Sequence, residues 1–118
     1  MAHRRTKALH PTKKVRQRVL ERDSYDGTPC CVNCGTAQTE YVRMELAHIR
    51  SKAQSGVGDE RNLVLLCPDL SKYKCHHVYD KGKVEQSNEI HRRIVEHMAL
   101  HYGDDWSEAD QKYQKEGI

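Results

Sequence analysis

Residues 42–52, VRMELAHIRSK, decide how this chain is read. Val42, Met44 and Leu46 alternate with Arg43, Glu45 and Ala47, the period of two expected of a half-buried strand running from about 41 to 47. The apolar face then gives way to His48, and the chain loosens into a polar, glycine-containing loop, RSKAQSGVGDE. A histidine at the lip of such a loop is either a surface accident or a side chain aimed by the strand. The rest of the sequence has to choose between them.

Its 118 residues make one domain the expectation. Apolar residues amount to 36%, phenylalanine is absent and Trp106 is the single tryptophan, thin material for a core built of hydrocarbon alone. A staple is therefore expected, and five cysteines offer one. The opening MAHRRTKALHPTKK has no apolar signal core, and the longest apolar run, LVLLC, is too short to cross a membrane. The expectation is an intracellular, cytoplasmic chain with no membrane partner, whose cysteines bind metal rather than form disulfides. The net charge of +3 is unevenly spread. Arg4, Arg5, Lys7, Lys13, Lys14, Arg16, Arg18 and Arg22 crowd the start, and Asp104, Asp105, Glu108, Asp110 and Glu116 the end. A basic end of this kind suits a nucleic-acid backbone, although a solvated charge run has the same composition.

Three segments follow from these signals. Residues 1–11 read as a basic flexible arm, 12–103 as the folded domain, and 104–118 as an acidic polar tail. Thr12 can cap a helix through about Arg22, with Val15, Val19 and Leu20 on its apolar side. DSYDGTP (23–29) is turn chemistry, and CVNCG (31–35) a knuckle whose glycine permits a tight reversal. A second strand is expected at NLVLLC (62–67) and a short helix at CHHVYDKG (75–82). The last helix, capped by Ser87, carries an Ile90–Ile94–Met98 stripe and ends at Gly103. His91, His97 and His101 lie on it without an evident acidic or thiol partner.

Cys31 and Cys34 form C-x2-C, and Cys67 and Cys75 a second pair with seven residues between them. Two pairs of thiolates suit a closed, tetrahedral structural zinc site. The longer second spacing leaves Asp69 or His77 as substitutes if Cys75 does not reach. Cys30 is left over as a free thiol. In a small domain, zinc-binding free energy becomes folding free energy.

Between and after these pairs stand His48 at a strand end, Asn62 at the start of the next strand and His76 opening a helix. With VRQRVLERD leading into CVNCG, AHI at 47–49, NLVLLC and CHH, the chain resembles the HNH endonuclease family, in particular its zinc-bearing phage and bacterial branch. The likeness covers about residues 12–82. It implies an α+β fold with a small ββα-metal (His-Me finger) core at about 41–82, a four-cysteine structural zinc site, and flanking N- and C-terminal helices. It also implies a metal-dependent DNA endonuclease that leaves 5′-phosphate and 3′-hydroxyl ends. On this pattern His48 is the general base, Asn62 steadies the loop and the base, and His76 binds a catalytic Mg2+ or Mn2+. A bacterial host cell would be the setting if the chain is phage-encoded.

One departure from the pattern is plain. Family members usually carry a metal-binding side chain where this chain has Ala47. Asp80, four residues after His76 on the same helical face, is the favoured replacement; Glu45 is the second, and water the third. Arg50 and Arg61 flank the loop and can hold phosphate oxygens, as can Lys13, Lys14, Arg16 and Arg18 on the first helix. Lys72, Tyr73 and Lys74 add a further candidate backbone contact. A non-catalytic, zinc-stapled nucleic-acid-binding module is the alternative reading. The sequence leaves the oligomeric state open, a monomer included.

Overall fold

Helix α1 (Lys13–Arg22) begins where expected, because the Thr12 side chain accepts the Val15 N–H. The structure is a computed structural model and describes residues 8–113. Arg4, Arg5 and Lys7 of the basic arm, and Glu116 of the acidic tail, therefore lie outside the described residues. Val19 of α1 is fully buried, while Lys13, Lys14, Arg16 and Arg18 remain exposed. The turn at 23–29 is a minimal hairpin, β1 (Ser24–Tyr25) against β2 (Thr28–Pro29). Asp26 and Gly27 supply its two positive φ angles, 52° and 81°, as a tight two-residue hairpin requires.

The central pair is β3 (Glu45–His48) antiparallel to β4 (Leu63–Leu66), in a register that sets Glu45 opposite Leu66 and His48 opposite Leu63. β4 is buried along its whole length, so LVLL forms the floor of the core. β3 is shorter than the alternation implies. The Thr39 hydroxyl accepts the N–H groups of Tyr41 and Val42, and Gln38 takes that of Met44, so residues 39–44 are spent on a turn rather than a ladder.

Helix α2 (Cys75–Lys81) and helix α3 (Val84–Tyr102) pack against each other across a connection of only Gly82 and Lys83. Gly82 is required there, since a Cβ would come within 2.6 Å of the Val78 carbonyl. α3 starts three residues before Ser87, which is not its cap. The Ser87 hydroxyl instead donates to the Tyr79 carbonyl and ties the two helices together. Ile90, Ile94 and Met98 are buried in the core as their spacing implies, and Gly103, at φ 65°, ends the helix.

One polar group anchors this core. Asp23 accepts from Arg22 Nε and His97 Nε2 at Oδ1, both at 2.7 Å, and from Arg22 Nη2 and the Leu65 N–H at Oδ2. Burial would push its carboxyl up, but the hydrogen bonds from His97 and Arg22 outweigh it and hold the group below its ordinary value. α1, β4 and α3 are thereby joined at one carboxylate. The chain is thus a small α+β unit with two small antiparallel sheets and helices on either side in sequence.

Candidate active site and zinc site

The knuckle turns at Gly35, whose φ is 80°, and Val32 donates its N–H to the Leu65 carbonyl, which presses it onto β4. The long second loop closes through Ser71. Its hydroxyl donates to the Pro68 carbonyl and accepts the Lys74 N–H, folding 68–74 back on itself. Cys75 is thus returned to Cys67, and the ligand atoms of Cys31, Cys34, Cys67 and Cys75 all fall within 4.8 Å of one another. The Cys34 and Cys67 sulfurs are 3.7 Å apart, against about 3.8 Å for two thiolates on a tetrahedral zinc with Zn–S near 2.3 Å. These four thiols can hold zinc. Asp69 and His77 are not needed, and Cys30 stands outside the group with its thiol on the Thr28 carbonyl. A hydrogen bond from Cys75 holds the Cys31 thiol below its ordinary value, which favours its thiolate form.

His76 follows Cys75 directly and faces a different space. Its Nδ1 lies 3.0 Å from Glu45 Oε1 and its Nε2 3.2 Å from Asp80 Oδ2, so both candidates for the ligand missing at Ala47 converge on one imidazole, from opposite sides. The hydrogen bond to Asp80, opposed by burial and reinforced by Glu45, raises His76 to about 8. A cleft of about 390 Å3 is lined by Leu46, His48, Ser51, Lys52, His76 and Asp80, which brings the strand-end histidine and the helix histidine into one opening. Glu45 lines a neighbouring recess with His76, His77 and Asp80 instead. Ala47 is fully buried opposite Val64 and offers the cleft nothing.

Burial pushes His48 below its ordinary value, against a smaller opposing effect from the Leu9 carbonyl. One cleft therefore holds one imidazole whose pKa burial lowers and one whose pKa its two carboxylate neighbours raise, a divergence set by their different surroundings. His48 Nε2 sits 2.8 Å from the Leu9 carbonyl oxygen. A carbonyl can only accept, so Nε2 carries the proton and Nδ1 keeps a bare lone pair.

The loop from 49 to 61 is held by Asn62, which is fully buried at the end of a 3-10 turn (Glu60–Asn62) just before β4. Asn62 Oδ1 accepts the Arg50 N–H at 2.8 Å, and Nδ2 donates to the Arg50 and Val57 carbonyls. Three hydrogen bonds to one amide hold the start of the loop at Arg50 and its interior at Val57.

The cleft, the loop and all four thiols fall inside one stretch of recognisable sequence. Residues 31–81 match the family model of the HNH endonucleases. Comparison with curated proteins and with solved structures returned no match. The HNH segment, opening on Cys31 and carrying Cys75 near its end, thus spans the whole four-thiol group, β3, β4 and α2.

Among the basic residues outside the thiol group, Arg50 flanks the cleft but sends its Nε to the Gln54 carbonyl. Arg61 lies over the Tyr102 ring at 4.8 Å and does not line the cleft. Arg18 is paired with Glu60 at 3.1 Å, while Lys13, Lys14 and Arg16 are exposed along α1. A larger cleft of about 560 Å3 beside the knuckle carries Glu85, Glu89 and Arg93 but no histidine, so chemistry rather than size singles out the smaller one.

The histidines of α3 do have partners, which their local sequence does not reveal. His97 meets Asp23, and His91 sits between the Tyr79 hydroxyl at 3.0 Å and Glu108 at 2.7 Å. Asp23, His97 and His101 also bring ligand atoms within 4.8 Å of one another. The Arg22 fork already occupies both oxygens of that carboxylate, which makes the group a cross-link rather than an open cation site. Among the described residues, no helix is long and apolar enough to cross a membrane.

Proposed function

We propose that this chain is a metal-dependent endonuclease that hydrolyses phosphodiester bonds in DNA, on a ββα-metal core formed by β3, β4 and α2. The observation that carries this reading is the sharing of one open cleft by His48, His76 and Asp80 within the HNH segment. His48, neutral and with Nδ1 bare, takes a proton from an attacking water. Asn62 keeps the loop beyond it in place. His76 Nε2 and Asp80 Oδ2 form a nitrogen–oxygen donor pair that fits a divalent ion such as Mg2+ or Mn2+. Such an ion would polarise the scissile phosphate and offset charge on the leaving oxygen. Glu45 accepts the Nδ1 proton of His76 and so turns Nε2 toward the cleft, the usual arrangement of a carboxylate behind a metal-binding histidine. Lys13, Lys14 and Arg16 offer a phosphate-binding face that supplies salt-dependent affinity without base readout. The four thiolates take zinc as the staple of the fold.

The test is conversion of supercoiled plasmid by wild type and His48→Ala in Mg2+, in Mn2+ and without added metal. The expected result is metal-dependent cleavage that falls by about 100-fold or more in the variant, at equal zinc content and equal DNA affinity. The buried Ala47, which leaves the cleft one ligand short of the family pattern, favours a second reading as a zinc-stapled nucleic-acid-binding module. A wild type that binds DNA and cleaves in none of these conditions establishes that reading instead.

A further inference from the structure

The loop that follows His48 is gripped from both ends of the described chain. Leu9 is only 3% exposed, although it lies in a strongly basic stretch, and its carbonyl is the group that meets His48 Nε2. The Ala8 carbonyl accepts the Gly58 N–H at 2.9 Å. Gly58 is the crossing point: a Cβ built there would stand 2.7 Å from the Leu9 carbonyl oxygen, 2.7 Å from Pro11 N and 2.5 Å from the His10 carbonyl carbon. Gly58 does not need a left-handed φ, so space alone demands glycine. From the other side, Val57 donates its N–H to the Gln111 carbonyl and Tyr113 donates to Ser55, closing a bridge between Gly56 and Lys112. All the gripping residues lie outside the HNH segment at 31–81.

We propose that residues 8–11 form a strap whose Leu9 carbonyl is a positioning group for His48, fixing the imidazole with Nε2 protonated and Nδ1 turned to the cleft. The function of the strap rests on the reading of His48 as general base, but the state of the ring can be read without any cleavage. A neutral imidazole otherwise exchanges its proton between two nitrogens and with water, and rotates about its side-chain torsions. Each of these motions removes the bare Nδ1 from the attacking position for part of the time. The bond to Leu9 suppresses all three. Gly58 allows the strap to lie close enough to make that bond, and the segment at 111–113 braces the opposite side of the same loop.

The experiment uses the zinc-loaded full chain, 15N-labelled, with wild type compared with Gly58→Ala. Wild type is expected to show a slowly exchanging Nε2–H resonance of His48 near neutral pH. In Gly58→Ala that resonance is lost and plasmid cleavage falls about 10- to 100-fold, with zinc stoichiometry and the far-UV spectrum unchanged. If Gly58→Ala does not fold, Leu9→Ala, which keeps the carbonyl but removes the buried anchor, is measured for the same two quantities. The proposal is overturned if wild type shows no protected Nε2–H, or if the variant loses the resonance and still cleaves at the wild-type rate. It is equally overturned if the variant retains both. A wild type that shows the resonance, loses it in the variant and never cleaves DNA would remove the nuclease reading while leaving the strap as the group that orients His48.

Discussion

Cys75 and His76 are joined by one peptide bond at the start of α2, yet they serve regions built on opposite rules. Cys75 is 2% exposed and completes a group of four like ligands with no position left for substrate. His76 is half-buried, sits between two carboxylates of unequal role, and faces an open cleft. A closed set of thiols fits a metal that holds a fold together, and an open, mixed set fits one that must admit a phosphate. The adjacency teaches how a chain with little hydrocarbon can aim a polar side chain. The thiol group ties down the first turn of α2, and the first turn of α2 carries His76, whose N–H is also donated to the Cys67 carbonyl.

The largest effect should come from breaking the closed region. Cys31→Ser is expected to abolish the cooperative thermal transition and the bound zinc together, because structural zinc contributes on the order of 10 kcal/mol, comparable to the whole stability of a small domain. Cys30→Ser, one residue away but outside the group, should stay within about 0.5 kcal/mol of wild type. Thermal melts with metal analysis on both variants decide whether the staple is these four thiols.

Next in size is the buried carboxylate of Asp23, which reaches the closed region through β4. Asp23 holds β4 through Leu65, and Leu65 in turn accepts from Val32 of the knuckle. Asp23→Ala leaves the Arg22 charge without its partner and should cost about 3–5 kcal/mol. The folded-state carboxyl titrates below the unfolded value of about 3.9, so its contribution is complete above that pH and is lost as pH falls through the lower, folded value. Wild type should therefore lose stability steeply below about pH 4, and Asp23→Ala should show a flatter acid limb in pH-dependent denaturation.

The smallest effect separates the two regions most sharply. Glu45→Gln keeps the shape of the residue behind His76 but removes its charge, and should weaken the divalent ion proposed for the cleft by about 10- to 100-fold without releasing zinc. Mn2+ dependence of cleavage, measured beside zinc content, reads both. Loss of zinc in this variant would mean that the cleft and the staple are one site rather than two.

Much of the closed region was legible in the sequence. C-x2-C with Gly35, the buried LVLL, the Thr12 cap, the Ile90–Ile94–Met98 stripe and the end at Gly103 all have causes within a few residues of themselves. The strand at 41–47 came out four residues late at its start because Thr39 and Gln38, side chains outside the alternation, captured its N–H groups. Ser87 misled for a similar reason, since a serine that caps a helix and one that bonds a neighbouring helix look alike in one dimension. In the candidate site, His48, Asn62, His76 and Asp80 could be named from order and resemblance. Glu45 could be named as well, but its assignment to the side of His76 away from Asp80 could not.

The sequence by itself determined the donors and their local frames: which thiols pair in a knuckle, which histidine ends a strand, which carboxylate shares a helical face with His76. Only the tertiary structure decided what those donors face. Leu9 meets His48 across 39 positions, Asp23 meets His97 across 74, and Glu108 reaches back to His91. Such contacts are set by the packing of whole elements around β4. No local propensity records them, because every residue involved is equally compatible with water until the rest of the chain has folded over it.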